Sequence, residues 1–127
     1  MTSVPNDFLI SCKKLETVTF AQNSQVTSIG KNFVVDCPLV QQIVLPEGVQ
    51  TIGDKLGNNC SSLTLIDLPS TVTSVGRYSS SRSVTTFICR AITPPTLAIG
   101  INVNENGKIY VPDQSIADYK AASNWSS

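Results

Sequence analysis

A 17-residue stretch occurs twice without a gap, as CPLVQQIVLPEGVQTIG from Cys37 to Gly53 and as CSSLTLIDLPSTVTSVG from Cys60 to Gly76. Cys60 falls on Cys37, Leu63 on Val40, Ile66 on Ile43, Leu68-Pro69 on Leu45-Pro46, Val72 on Val49 and Val75-Gly76 on Ile52-Gly53. A third copy, CKKLETVTFAQNSQVTSIG from Cys12 to Gly30, has two extra residues in the turn before Val26. Units this short cannot enclose a core alone and must stack on their neighbours. The sequence therefore predicts an α/β-type repeat solenoid, mainly β. It would be a short right-handed array of three to four coils with a parallel sheet on one face and a C-terminal cap helix.

Within a copy, Leu63 to Leu68 reads L-x-x-I-x-L, and both Leu45 and Leu68 are followed by proline. Residues two apart share one side of a strand, so Ile66 and Leu68 face inward, and the proline ends the strand by removing its donor. A second extended piece carries Val72 and Val75 inward. Glycine follows it at 30, 53 and 76, where we expect positive φ. Phe33 and Leu56, each four residues before a cysteine, are expected to plug the back corner of the coil. Cys12, Cys37 and Cys60 share one slot, and side chains stacked in parallel are poorly placed for a disulfide. They read as small buried hydrophobes.

Residues 12–36, 37–59 and 60–80 are thus three repeats within one domain spanning 1–127. In 81–112, Ser81 to Cys89 restates the start of a fourth copy, with Ser81 in the cysteine slot and Val84 and Phe87 inward. The turn before it, Tyr78 to Ser81, has lost the apolar plug. From Arg90 the pattern breaks into AITPPTL, and after the Asn106-Gly107 turn the strand returns as Lys108 to Pro112. Residues 113–127 form the cap, with a helix expected from Ser115 to Asn124 and a capping box in Ser115 and Asp118. Residues 1–11 form the N-terminal edge, where Phe8 to Ile10 would cover the first coil.

These residues resemble the BspA-like (Treponema-type) leucine-rich repeats, whose pattern is C-x-x-L-x-x-I-x-L-P, then V-x-x-I-G, then an aromatic before the next cysteine. The resemblance covers residues 12–89. The tail TPPTL with IYVPDQSIADYKAASNW is similar to the terminal segment of such proteins of gut bacteria. The chain departs from the pattern where leucine replaces the aromatic at Leu56 and where none stands near Ser79. The resemblance implies an extracellular or surface-attached protein with a binding face and no catalytic residues. It also implies that this chain is the C-terminal portion of a longer surface protein.

Composition excludes several functions. Nine basic and nine acidic residues leave no net charge to attract a polyanion, which argues against nucleic acid. The chain has no histidine, the commonest general base and metal ligand, and no C-x-x-C pair, so neither an enzyme nor a metal or cofactor site is expected. Asp113 and Asp118 lie at a helix start, where a capping role suffices, and Asn102, Asn104 and Asn106 read as a turn rather than a calcium loop. No transmembrane segment and no signal peptide is evident, and a monomer is expected.

The candidate site follows by subtraction from the inward residues. Outward positions form two columns, one of Thr17, Gln42, Leu65, Thr86 and Lys108, the other of Thr19, Val44, Asp67, Ile88 and Tyr110. Val44, Leu65, Ile88 and Tyr110 put apolar groups where water is expected, a feature of partner sites. An unidentified protein or glycan is the expected ligand. The competing expectations are that the C-terminal tail folds over these residues, or that the repeats are a spacer in a longer surface enzyme or adhesin.

Overall fold

A computed structural model describes residues 2–125; Met1 and the last two residues of the cap lie outside the described residues. The chain winds as a three-sided β-solenoid whose strands pair in parallel from one coil to the next. One side is a five-stranded sheet of β1 (Ser3–Val4), β3 (Ser28–Ile29), β6 (Thr51–Ile52), β9 (Ser74–Val75) and β11 (Thr96–Leu97). A second is a four-stranded sheet ordered β5 (Gln42–Val44), β8 (Leu65–Leu68), β10 (Thr86–Cys89) and β12 (Lys108–Tyr110). The third joins β2 (Leu9–Ile10), β4 (Val34–Val35) and β7 (Gly57–Asn58).

The five-stranded side counts five turns, more than the three to four expected. Two segments account for the difference. Residues 2–11 are not a cover but the latter half of a coil: β1 pairs with β3 and β2 with β4, in the register of the coils that follow. Phe8 and Ile10 stay exposed at this end, with the Phe8 ring stacked 6.2 Å from Phe33. At the other end, the proline-rich segment after Arg90 does not leave the array. It places Leu97 beside Val75 as one more strand.

Ile43, Leu63, Ile66, Leu68, Val84 and Phe87 are fully buried between the sheets, as are the plugs Phe33 and Leu56. Cys37 and Cys60 are fully buried, Cys12 is half-buried, and all four cysteines carry free thiols. Each stacked thiol donates to the carbonyl two residues before it: Cys37 Sγ lies 3.4 Å from Val35 O and Cys60 Sγ 3.5 Å from Asn58 O. The slot therefore favours a side chain that is small and apolar yet carries a weak donor.

The glycines at 30, 53 and 76 do not take positive φ; among the glycines only Gly48 does. Their reason is proximity. A Cβ on Gly76 would lie 2.5 Å from Asp54 N, and one on Gly53 would lie 2.8 Å from Gly30 C, so here the backbones of successive coils nearly touch. Positive φ falls instead on Asp7, Asn32, Lys55 and Tyr78, and again just before the cysteines on Ser11, Asp36 and Asn59. Side chains at these corners stack along the solenoid: Asn32 Nδ2 donates to Asp7 Oδ1 at 2.6 Å, and Asn59 Nδ2 to Asp36 Oδ1.

The third sheet ends at β7 because the next coil is two residues shorter: Phe87 pairs with Ile66, 21 positions on, whereas Ile66 pairs with Ile43, 23 positions on. In that shortened corner Ser79 and Ser80 are buried. Ser79 Oγ donates to Gly76 O at 2.8 Å, and Ser80 Oγ has no partner.

The C-terminal cap is shorter than expected. A 3-10 turn spans Asp113–Ser115, and helix α1 spans only Ile116–Ala121. Ser115 makes no capping bond; its hydroxyl donates to Ile92 O at 2.6 Å, because the helix start is buried against the last coil.

Candidate functional site

The four-stranded sheet presents its outer face through alternation. Ile43, Ile66 and Phe87 point into the core, which turns the residues on either side of them outward. Pairing sets the lateral order: Gln42 lies beside Leu65, Leu65 beside Thr86, and Thr86 beside Lys108. In the next row Val44 lies beside Asp67, Asp67 beside Ile88, and Ile88 beside Tyr110. Eight of the ten residues chosen from the sequence thus occupy one face in the predicted register.

Thr17 and Thr19 do not join it. Both are exposed, and Leu15, Val18 and Phe20 pack against the core as their spacing requires. Yet residues 15–20 form no strand and make no ladder bond to β5. This copy has no closing proline, and its two extra turn residues let the chain leave ladder distance. The face therefore begins at β5.

Asp67 is not a free acid on this face. Arg90 Nε donates to Asp67 Oδ1 at 2.9 Å and Arg90 Nη2 to Oδ2 at 2.8 Å, a bidentate pair. Arg90 keeps 55% of its side chain exposed against 13% for Asp67, so of this pair it is the guanidinium that a partner meets, alongside the exposed Lys108. Sequence reasoning missed Arg90: the shortened coil puts Ile88, not Arg90, beside Asp67, so the pair runs diagonally from a position just past the end of β10 and has no register signal.

Around this pair lie Val44, 42% exposed, the half-buried Leu65 and Ile88, and Tyr110, 52% exposed. The described part of the C-terminal tail, residues 113–125, does not cover them. Its side chains turn instead to the segment after Arg90: besides Ser115, Tyr119 Oη donates to Ala91 O at 2.6 Å, Trp125 Nε1 to Pro95 O at 2.7 Å and Asn124 Nδ2 to Leu97 O at 3.0 Å. Tyr110 also borders a groove of about 320 Å³ with Ile88, Arg90 and Pro112. The face combines a broken apolar surface, a half-exposed aromatic ring, a guanidinium fixed by Asp67 and the exposed Lys108.

Among the described residues, no helix is long and apolar enough to cross a membrane. No curated protein and no solved structure matches the chain. A model of the BspA type leucine-rich repeat region does match, in six copies over residues 1–93, a span that includes the half coil at the N-terminal end. With the parallel three-sided coil and its recurrent cysteine, proline and glycine slots, this places the chain in the BspA-type leucine-rich repeat family.

Proposed function

We propose that the chain is a non-enzymatic interaction module, displayed on a bacterial surface, that binds a protein or glycan partner through the outer face of the four-stranded sheet. The observation that carries this reading is the uncovered cluster of Val44, Leu65, Ile88 and Tyr110 around the Arg90–Asp67 pair. Tyrosine and arginine are among the residue types that dominate binding energy at interfaces, and Val44, Leu65 and Ile88 supply the apolar surface around Tyr110 and Arg90. The extracellular or surface location rests on the family, whose members are usually associated with surface proteins.

The test is a protein and glycan array probed with the chain and with Leu65→Glu. Leu65 is half-exposed and lies in the middle of the face, so the variant should keep its circular dichroism spectrum and melting temperature. It should bind the array ligand at least about tenfold more weakly. Undiminished capture by Leu65→Glu would move the site off this face.

A further inference from the structure

The last strand, β12, is an edge, and its ladder is half used. Lys108 N donates to Thr85 O at 2.9 Å, so the alternation of a parallel ladder directs the amide and carbonyl of Lys108 and Tyr110 toward β10. The same alternation points the N–H and C=O of Ile109 away, to the open side where no strand follows. Among the described residues, the cap satisfies carbonyls of the segment from 91 to 97 and makes no bond to this edge.

Beside that edge lies a groove of about 330 Å³ between β12 and α1, whose lining includes Ile109, Tyr110, Ile116, Tyr119 and Trp125 and the charged Asp113 and Lys120. Its two buried rings have no polar atom to spare. Tyr119 Oη and Trp125 Nε1 are already bonded to Ala91 O and Pro95 O, and the two rings meet edge to face with centroids 5.0 Å apart. What the groove offers is ring and aliphatic surface, and what the edge offers is one amide and one carbonyl that no other described residue pairs.

We infer that this edge is a docking site for an extended peptide segment, added to the sheet as a fifth strand. Cross-strand pairing specifies its chemistry. The residue beside Ile109 points inward and is a large apolar side chain that fills the groove. On the outer face, the neighbour beside Lys108 is acidic, complementing the exposed ammonium, and the neighbour beside Tyr110 is threonine or another β-former. The edge shares Lys108 and Tyr110 with the outer face proposed above, but its backbone groups and the groove beside α1 lie beyond that face, so the inference does not depend on that reading.

The probes are two blocked synthetic decapeptides, one centred on Glu-Leu-Thr and one on Lys-Leu-Thr, titrated into the isotopically labelled chain. The acidic peptide should shift the Ile109 amide resonance, slow its hydrogen exchange, and bind about tenfold more tightly than the basic one. Lys108→Glu should reverse that preference. Ile116→Glu, an exposed position, should weaken binding about tenfold, whereas Leu65→Glu should leave it unchanged. N-methylation of the peptide amide facing Ile109 O should abolish binding, and methylation of the next amide should not. The inference is overturned if neither peptide binds, if binding ignores the position of the methyl group, or if sedimentation shows self-association with the Ile109 amide already protected, which would make a second copy the occupant.

Discussion

At the scale of single residues, the repeat spells out two constraints of different origin that look alike in a sequence. A glycine recurring after a strand suggests a left-handed backbone, but at Gly30, Gly53 and Gly76 it is the neighbouring coil that forbids a side chain. The left-handed corners fall on residues such as Asn32, Asp36 and Asn59, types that tolerate that region, and on Lys55 and Tyr78, which do not announce it. The asparagine and aspartate pattern was therefore readable, while the last corners were not. Gly76→Ala should cost about 1–3 kcal/mol, since the obstructing atoms include the Asp54 and Gly53 backbone, which cannot swing aside. Gly100→Ala, where the nearest atom to a new Cβ is 3.5 Å away, should change stability by less than about 0.5 kcal/mol. Urea denaturation of the two variants separates them, and equal midpoints would rule out the proximity account.

At the scale of elements, the strands were legible because period-two alternation and a closing proline each have one structural meaning. The ends were not. Ser115 and Asp118 have the spacing of a capping box, but the serine hydroxyl is drawn to Ile92 O because a buried carbonyl has no water to turn to. The cap is held by donors from its side chains to the last coil's backbone, a pairing with no sequence signature. Tyr119 is the central one. Its hydroxyl bonds Ala91 O and lies 3.3 Å from Cys89 Sγ, while its ring packs on Trp125. Tyr119→Phe keeps the packing and leaves the Ala91 carbonyl without this donor, at a cost of about 1–2 kcal/mol. Trp125 is the sole tryptophan, so its fluorescence reports on the cap. In the variant its unfolding midpoint in urea should fall, and a midpoint equal to the parent's would refute the role given to the hydroxyl.

At the scale of the whole molecule, the array behaves as a stack in which each coil answers to its neighbours, and its titratable interior is unusual in consisting of weak acids that must stay protonated. Burial pushes the thiols of Cys37, Cys60 and Cys89 up, and burial together with the Cys89 contact does the same for the Tyr119 hydroxyl. The Glu47 carboxyl is held low by bonds from the Ser70 hydroxyl and amide at an exposed turn. A group raised on folding stabilises fully below its unfolded pKa, and that stability is lost as pH rises from there toward the folded value. Unfolded thiols ionise near about pH 8.5 and unfolded tyrosine near about pH 10, so stability should be nearly level from pH 5 to 8 and then fall, by of order 1 kcal/mol per pH unit for each fully buried thiol. The acid limb has the opposite sign: Glu47 stabilises above its unfolded pKa, and its contribution disappears as pH falls through its lowered folded value. Because that carboxyl is exposed, its own share of any acid loss should be slight, and the chain has no histidine to charge near pH 6. Melting temperatures measured from pH 4 to 10 should therefore drop on the alkaline side, and Cys60→Ala, which removes one of the ionising thiols, should lessen the slope of that drop while lowering the plateau. A profile that falls as steeply in acid as in alkali would mean that carboxylates, not the buried thiols and Tyr119, govern the fold's response to pH.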